Sequence, residues 1–160
     1  MISIVNKITE RVLVIIFVVM TLSVVWQVLS RYLLSISASF TEELARYCLM
    51  WLAILGAAYI TGKREHIAID FFADKLPESS QYFLNVIIEI LILVFAVIVL
   101  IIGGGYLMYM TFYMGQISPA LKIPLGYIYT IIPVSGILMV IYTIVHLRLL
   151  KENKNIAHES

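Results

Sequence analysis

The sequence is short of nearly everything a soluble enzyme needs. One cysteine, Cys48, stands among 160 residues, so no internal disulfide can form. It falls inside an apolar run, where a small buried packing residue is the ordinary reading. Charged residues make up 13% of the chain and hydrophobic residues 62%, whereas soluble domains carry about 25% charged and about 45–50% apolar residues. The net charge of +1 gives no electrostatic reason for a nucleic acid or an acidic partner. There is no H-E-x-x-H, no G-x-S-x-G, no phosphate-binding glycine loop and no cysteine pair for zinc. The three histidines, His66, His146 and His158, fall near one membrane edge or in the tail, which excludes a bis-histidine haem at mid-membrane. No internal repeat or low-complexity tract appears. Catalytic, substrate-binding and metal-binding residues are expected to be absent, and the chain is not expected to be an enzyme.

What is present is four long apolar runs. A span needs about 20 apolar residues to cross a hydrocarbon core of about 30 Å. The runs predict an all-α integral membrane protein, residues 1–160 forming one four-helix transmembrane domain with spans about 12–34, 40–62, 82–114 and 125–150. The first run exceeds the about 7–15 apolar residues of a signal peptide and is expected to stay as a span. The third has about 30 residues, about 45 Å if helical, so tilt, extension beyond the lipid or a break at Gly103-Gly104-Gly105 is expected. Pro133 is expected to kink the fourth.

Lysine and arginine set the orientation. Lys7, Arg11, Lys63, Arg64, Lys75, Arg148, Lys151 and Lys154 lie on one side, against Arg31, Arg46 and Lys122 on the other. The positive-inside bias places both termini in the cytoplasm. The longest polar connection, residues 61–80, mixes Ile67, Ile69, Phe71 and Phe72 with charges, as an interfacial segment against membrane lipid headgroups does. Pro119 and Pro124, flanking Lys122, are expected to keep the last outer loop extended.

The second span opens on "SASFTEELARY", residues 37–47. Ser39 and Glu42 fit a capping box, and acids suit the positive end of a helix dipole. Arg46 lies i+4 from Glu42 and i+3 from Glu43, so a local ion pair is the plain reading. The other reading is an interface. Tyr47 and Trp51 follow the arginine, and Ser23, Gln27, Ser30 and Arg31 make a polar stripe near the end of the first span. Arg31 at the same outer surface would pair with these carboxylates and rivet helices to each other or to a partner. An arginine at mid-membrane costs about 2.5–3.5 kcal/mol on insertion scales, and pairing offsets part of that. Glu89, about two turns into the third span with Asn85 before it, bonds Lys75, Arg64 or a neighbouring helix, or contacts a partner subunit, or titrates. Ala53, Gly56 and Ala57 form a small-residue stripe that permits close approach within the chain or between chains.

The stretch "FTEELARYCLMWLAILGAAYITGKREHIAID", together with Arg31-Tyr32 ending the first span, resembles the small, DctQ-type membrane subunit of tripartite ATP-independent periplasmic (TRAP) transporters. The resemblance rests on Glu42, Glu43, Arg46, Tyr47, Trp51, Gly56, Ala57, Lys63, Arg64, Glu65, His66, Ile67 and Asp70. It implies a non-catalytic scaffold in the bacterial inner membrane, pairing with a separate large membrane subunit that carries the substrate and sodium sites. A periplasmic substrate-binding protein would deliver an organic acid such as a dicarboxylate or sialic acid to that symport system. No cofactor is implied for this chain. The contrasting expectation, from residues alone, is a small self-sufficient proton-coupled transporter acting as a homo-oligomer through Glu89.

Overall fold

A computed structural model describes residues 2–33, 39–63 and 78–159. Among them nearly every residue is helical, and four helical stretches are long and apolar enough to cross a membrane. Helix α1 runs Ile2–Leu33, α2 Ser39–Lys63 and α3 Glu78–Phe95. The third span continues through a π-helical segment, Ala96–Gly103, into α4, Gly104–Tyr113. The fourth span is α5, Leu125–Tyr129, followed by α6, Ile131–Glu159. The expected interfacial segment between helices two and three, with Arg64, His66, Asp70 and Lys75, lies for the most part outside the described residues.

Helix α1 starts ten residues before the apolar run. Hydropathy marks the part that lipid covers, whereas Asn6, Lys7, Glu10 and Arg11 prolong the same helix beyond it. Its inward side is one seam: Thr9, Leu13, Ile16, Met20, Ser23, Gln27 and Ser30 are buried or half-buried, and from Lys7 to Leu33 every other residue is exposed. The spacing alternates four and three, the pattern of left-handed helix pairing. Small Thr9, Ser23 and Ser30 sit deepest, as close packing in lipid requires. Ser23 and Ser30 satisfy their hydroxyls on the carbonyls of Val19 and Gln27.

Helix α1 packs on α2, α2 on α6, and α6 on the third span. Accordingly only 6% of the apolar window of α1 is buried within the chain, against 39% for the fourth span. The core lies where Ala58 of α2, Ala96 and Leu100 of the π-helical segment and Met139 of α6 meet. Gly136 makes that approach possible. A Cβ there would lie 2.8 Å from the Leu100 Cβ and 3.2 Å from the Ala96 carbonyl oxygen.

The third span does not break at its glycines. Gly104 instead lets α6 come close, since a Cβ there would strike Ile132. The irregularity is the π-helical segment, which begins at Ala96 and ends on the first of the three glycines, Gly103. Helix α4 ends at Gly115, which takes φ +61°, with Gly115 N–H donating to the Phe112 carbonyl (3.0 Å) and Gln116 N–H to the Thr111 carbonyl (3.1 Å). These two bonds form a Schellman motif. The fourth span is interrupted at Thr130, three residues before Pro133. Pro133 has no N–H for the Tyr129 carbonyl, and its ring crowds that position.

Candidate functional site

The loop that follows α4 is folded back on itself, not extended as its prolines suggested. Ser118 N–H donates to the Ile123 carbonyl (2.9 Å), Lys122 N–H to the Ser118 carbonyl (3.0 Å) and Leu125 N–H to the Gln116 carbonyl (3.0 Å). Lys122 takes φ +54° to close the turn. Two backbone N–H groups, those of Ala120 and Leu121, thereby point the same way, the second also reaching the Ser118 hydroxyl at 3.2 Å.

Glu43 meets both from α2. Its Oε2 accepts Ala120 N–H at 2.7 Å and Leu121 N–H at 3.0 Å, and its Oε1 accepts the Tyr47 hydroxyl at 2.7 Å. The residue is 7% exposed. A carboxylate held by three donors is a charge-assisted clasp. One turn further on, Trp51 Nε1–H donates to the Ile128 carbonyl at 3.0 Å. Glu43, Tyr47 and Trp51 therefore bind α2 to the loop and to α5.

Glu42 behaves differently. Its Oε1 takes the Arg46 guanidinium at 3.1 Å on the open side of α2, with side chains 56% and 69% exposed. The capping box is not formed. Ser39 is already inside the helix, and the Glu42 carboxylate turns to Arg46 instead of back to the Ser39 N–H. Arg31 is exposed and makes no ion pair among the described residues. It sits one position off the inward seam of α1, while both carboxylates it was expected to meet are engaged elsewhere.

At the far end of the bundle Glu89 meets a residue that sequence reasoning set aside. His146 Nδ1 lies 3.1 Å from Glu89 Oε1, and the two side chains are 6% and 12% exposed. The pair ties α3 to α6. Glu10, also passed over, accepts the Tyr59 hydroxyl at 3.2 Å and so ties α1 to α2, while Lys63 Nζ lies 4.8 Å from the centre of the same ring. The signal for the contacts between elements is weak in one dimension, because those partners are 49 to 78 positions apart.

The small-residue stripe faces outward. A Cβ on Gly56 would meet nothing within 4 Å, and Ala53 and Ala57 are exposed. With Leu49 and Ile60 they continue the line of Glu42 and Arg46 down the open face of α2. No group of three or more metal-binding side chains occurs among the described residues.

Residues 20–152, most of the chain, match the family described as tripartite ATP-independent periplasmic transporters, DctQ component. The chain belongs to the DctQ family. Similar to this DctQ protein are the "Sialic acid TRAP transporter small permease protein SiaQ" of Vibrio cholerae and a "Putative TRAP transporter small permease protein" of Haemophilus influenzae. The first is 33% identical over 63% of this chain and 58% of that protein; the second is 30% identical over 84% and 82%. A third relative, the "Sialic acid TRAP transporter permease protein SiaT" of Haemophilus influenzae, is 29% identical over 56% of this chain but only 15% of its own, much greater, length. A DctQ component of a periplasmic transporter resides in the bacterial inner membrane, and this one has four spans for it.

Proposed function

We propose that this DctQ protein is the non-catalytic small membrane subunit of a TRAP-type secondary transporter, a scaffold against which a large ion-coupled subunit works. The observation that carries the reading is the family match over residues 20–152 in a chain whose buried Glu43 and Glu89 hold its own elements together. Glu43 and Glu89 act as clasps, and the bundle they fasten leaves most of α1 and one face of α2 open to a neighbour in the membrane.

The large subunit is the partner in this reading. The match of this chain to one small part of a long permease in Haemophilus influenzae supports that pairing. Substrate and sodium bind the large subunit, and a periplasmic binding protein delivers the solute. Names of the relatives include sialic acid and isethionate, both organic acids, which favours an organic anion. Arg31, Glu42, Arg46 and the stripe through Ala53 and Gly56 are the parts of this chain that meet the partner.

Affinity purification of the tagged chain from membranes of its native host, in mild detergent, tests this. One large permease is expected to co-purify in near-equal amount. Proteoliposomes holding both chains, with the binding protein added, should take up solute; this chain alone should not. Solute uptake by this chain alone, or recovery without any larger membrane protein, would overturn the assignment.

A further inference from the structure

A cleft with a volume of about 250 Å³ opens between α1, α2 and the loop after α4. Cys48 and Trp51 of α2 form its floor, Ile15 and Val19 of α1 one wall, and Leu121 and Ile123 the other. The two strong polar groups in this lining are already engaged. The Tyr47 hydroxyl is bonded to Glu43, and the Trp51 indole N–H to the Ile128 carbonyl. What faces the space is carbon and one thiol, so an occupant that needed hydrogen bonds would lose them on entry, whereas an apolar chain loses none.

Depth narrows the choice. Ile15 and Val19 lie in the middle part of the span Val5–Leu33, so this wall stands within hydrocarbon. A charge adjoins this lining in the chain. Lys122 is exposed between the two lining residues Leu121 and Ile123 and has no ion pair among the described residues. Its backbone is in the left-handed region, which non-glycine residues seldom occupy. The turn is kept there by its own N–H on Ser118 and by Glu43 on the two preceding N–H groups. Arg46, a cation on the first turns of α2, is engaged by Glu42. An exposed cation on the turn that walls a dry apolar slot suits a molecule that is anionic at one end and aliphatic at the other. We infer that the cleft holds one acyl chain of an anionic phospholipid whose phosphate rests on Lys122.

Trp51 reports on the cleft. In the full chain carrying Trp26→Phe it is the only tryptophan, because the chain has two. The protein is placed in phosphatidylcholine nanodiscs containing rising fractions of phosphatidylglycerol brominated in mid-chain, or of phosphatidylcholine brominated alike. Half-maximal quenching of Trp51 is expected at about a fivefold lower fraction of the glycerol lipid, the effect of one cation near an anionic headgroup. Lys122→Gly keeps the turn, since glycine accepts positive φ, and should abolish the preference. Val19→Phe fills the slot and should weaken quenching by both lipids. Equal quenching by the two lipids, a preference that survives Lys122→Gly, or no quenching by either would each overturn the inference, the last by showing the cleft closed to lipid.

Discussion

Two adjacent glutamates on α2 have opposite fates. Glu42 shares a salt bridge with Arg46 in which both side chains are more than half exposed, and such pairs contribute about 0–1 kcal/mol. Glu43 is buried, and its removal strands the Ala120 N–H and leaves that of Leu121 with the Ser118 hydroxyl alone. Glu43→Ala is therefore expected to destabilise the purified chain by about 2 kcal/mol, within the range for stranding buried donors. Glu43→Gln should cost less than half of that, because its carboxamide oxygen still accepts both bonds. Glu42→Ala should stay within about 1 kcal/mol. Denaturant unfolding in detergent micelles measures all three, and equal losses for Glu42→Ala and Glu43→Ala would refute the clasp. The sequence marks both acids as first-turn residues and gives each the same dipole argument. What separates them is a turn 77 positions away, whose closure needs positive φ at Lys122. The pairing of Glu89 with His146 was hidden for the same reason: both were visible as polar residues near one membrane edge, but not as partners.

Among the elements, α1 was the most legible and the third span the least. The apolar run of α1 is unmistakable, and its four-three seam can be read from Thr9 to Ser30 once the helix is known to begin at Ile2. The π-helical segment has no such mark. Its sequence, Ala96–Gly103, is aliphatic throughout, without proline, and its register is settled against α6 and not by its own residues. Glycines show how much depends on neighbours. A methyl on Gly136 would fall 2.8 Å from Leu100 and 2.9 Å from Ile101, whereas one on Gly56 would touch nothing. Gly136→Ala should thus destabilise the isolated chain by about 1–3 kcal/mol, the cost of overpacking. Gly56→Ala, mid-helix, should leave it unchanged or slightly firmer. Thermal unfolding of the two variants in the same detergent decides this, and a loss for Gly56→Ala would mean that α2 packs differently.

For the whole molecule, the bundle's two ends carry unequal charge, and the positive-inside bias turns this into an expected direction. α1 begins, α2 ends, α3 begins and α6 ends at one level, as the contacts Glu10–Tyr59 and Glu89–His146 require. Lys7, Arg11, Lys63, Arg148 and Lys151 gather there, while Arg31, Arg46 and Lys122 sit towards the other end. A cationic flank is retained on the cytoplasmic side during insertion, so the level with both termini is expected to face the cytoplasm and the Glu43-clasped loop the periplasm. Gln116 is exposed in that loop and Lys151 is exposed near the end of α6. With Cys48 replaced by alanine, Gln116→Cys should react in intact cells with a maleimide that cannot cross the inner membrane. Lys151→Cys should react only after that membrane is opened. The reverse pattern would invert the bundle, and the loop could then take no part in meeting a periplasmic binding protein.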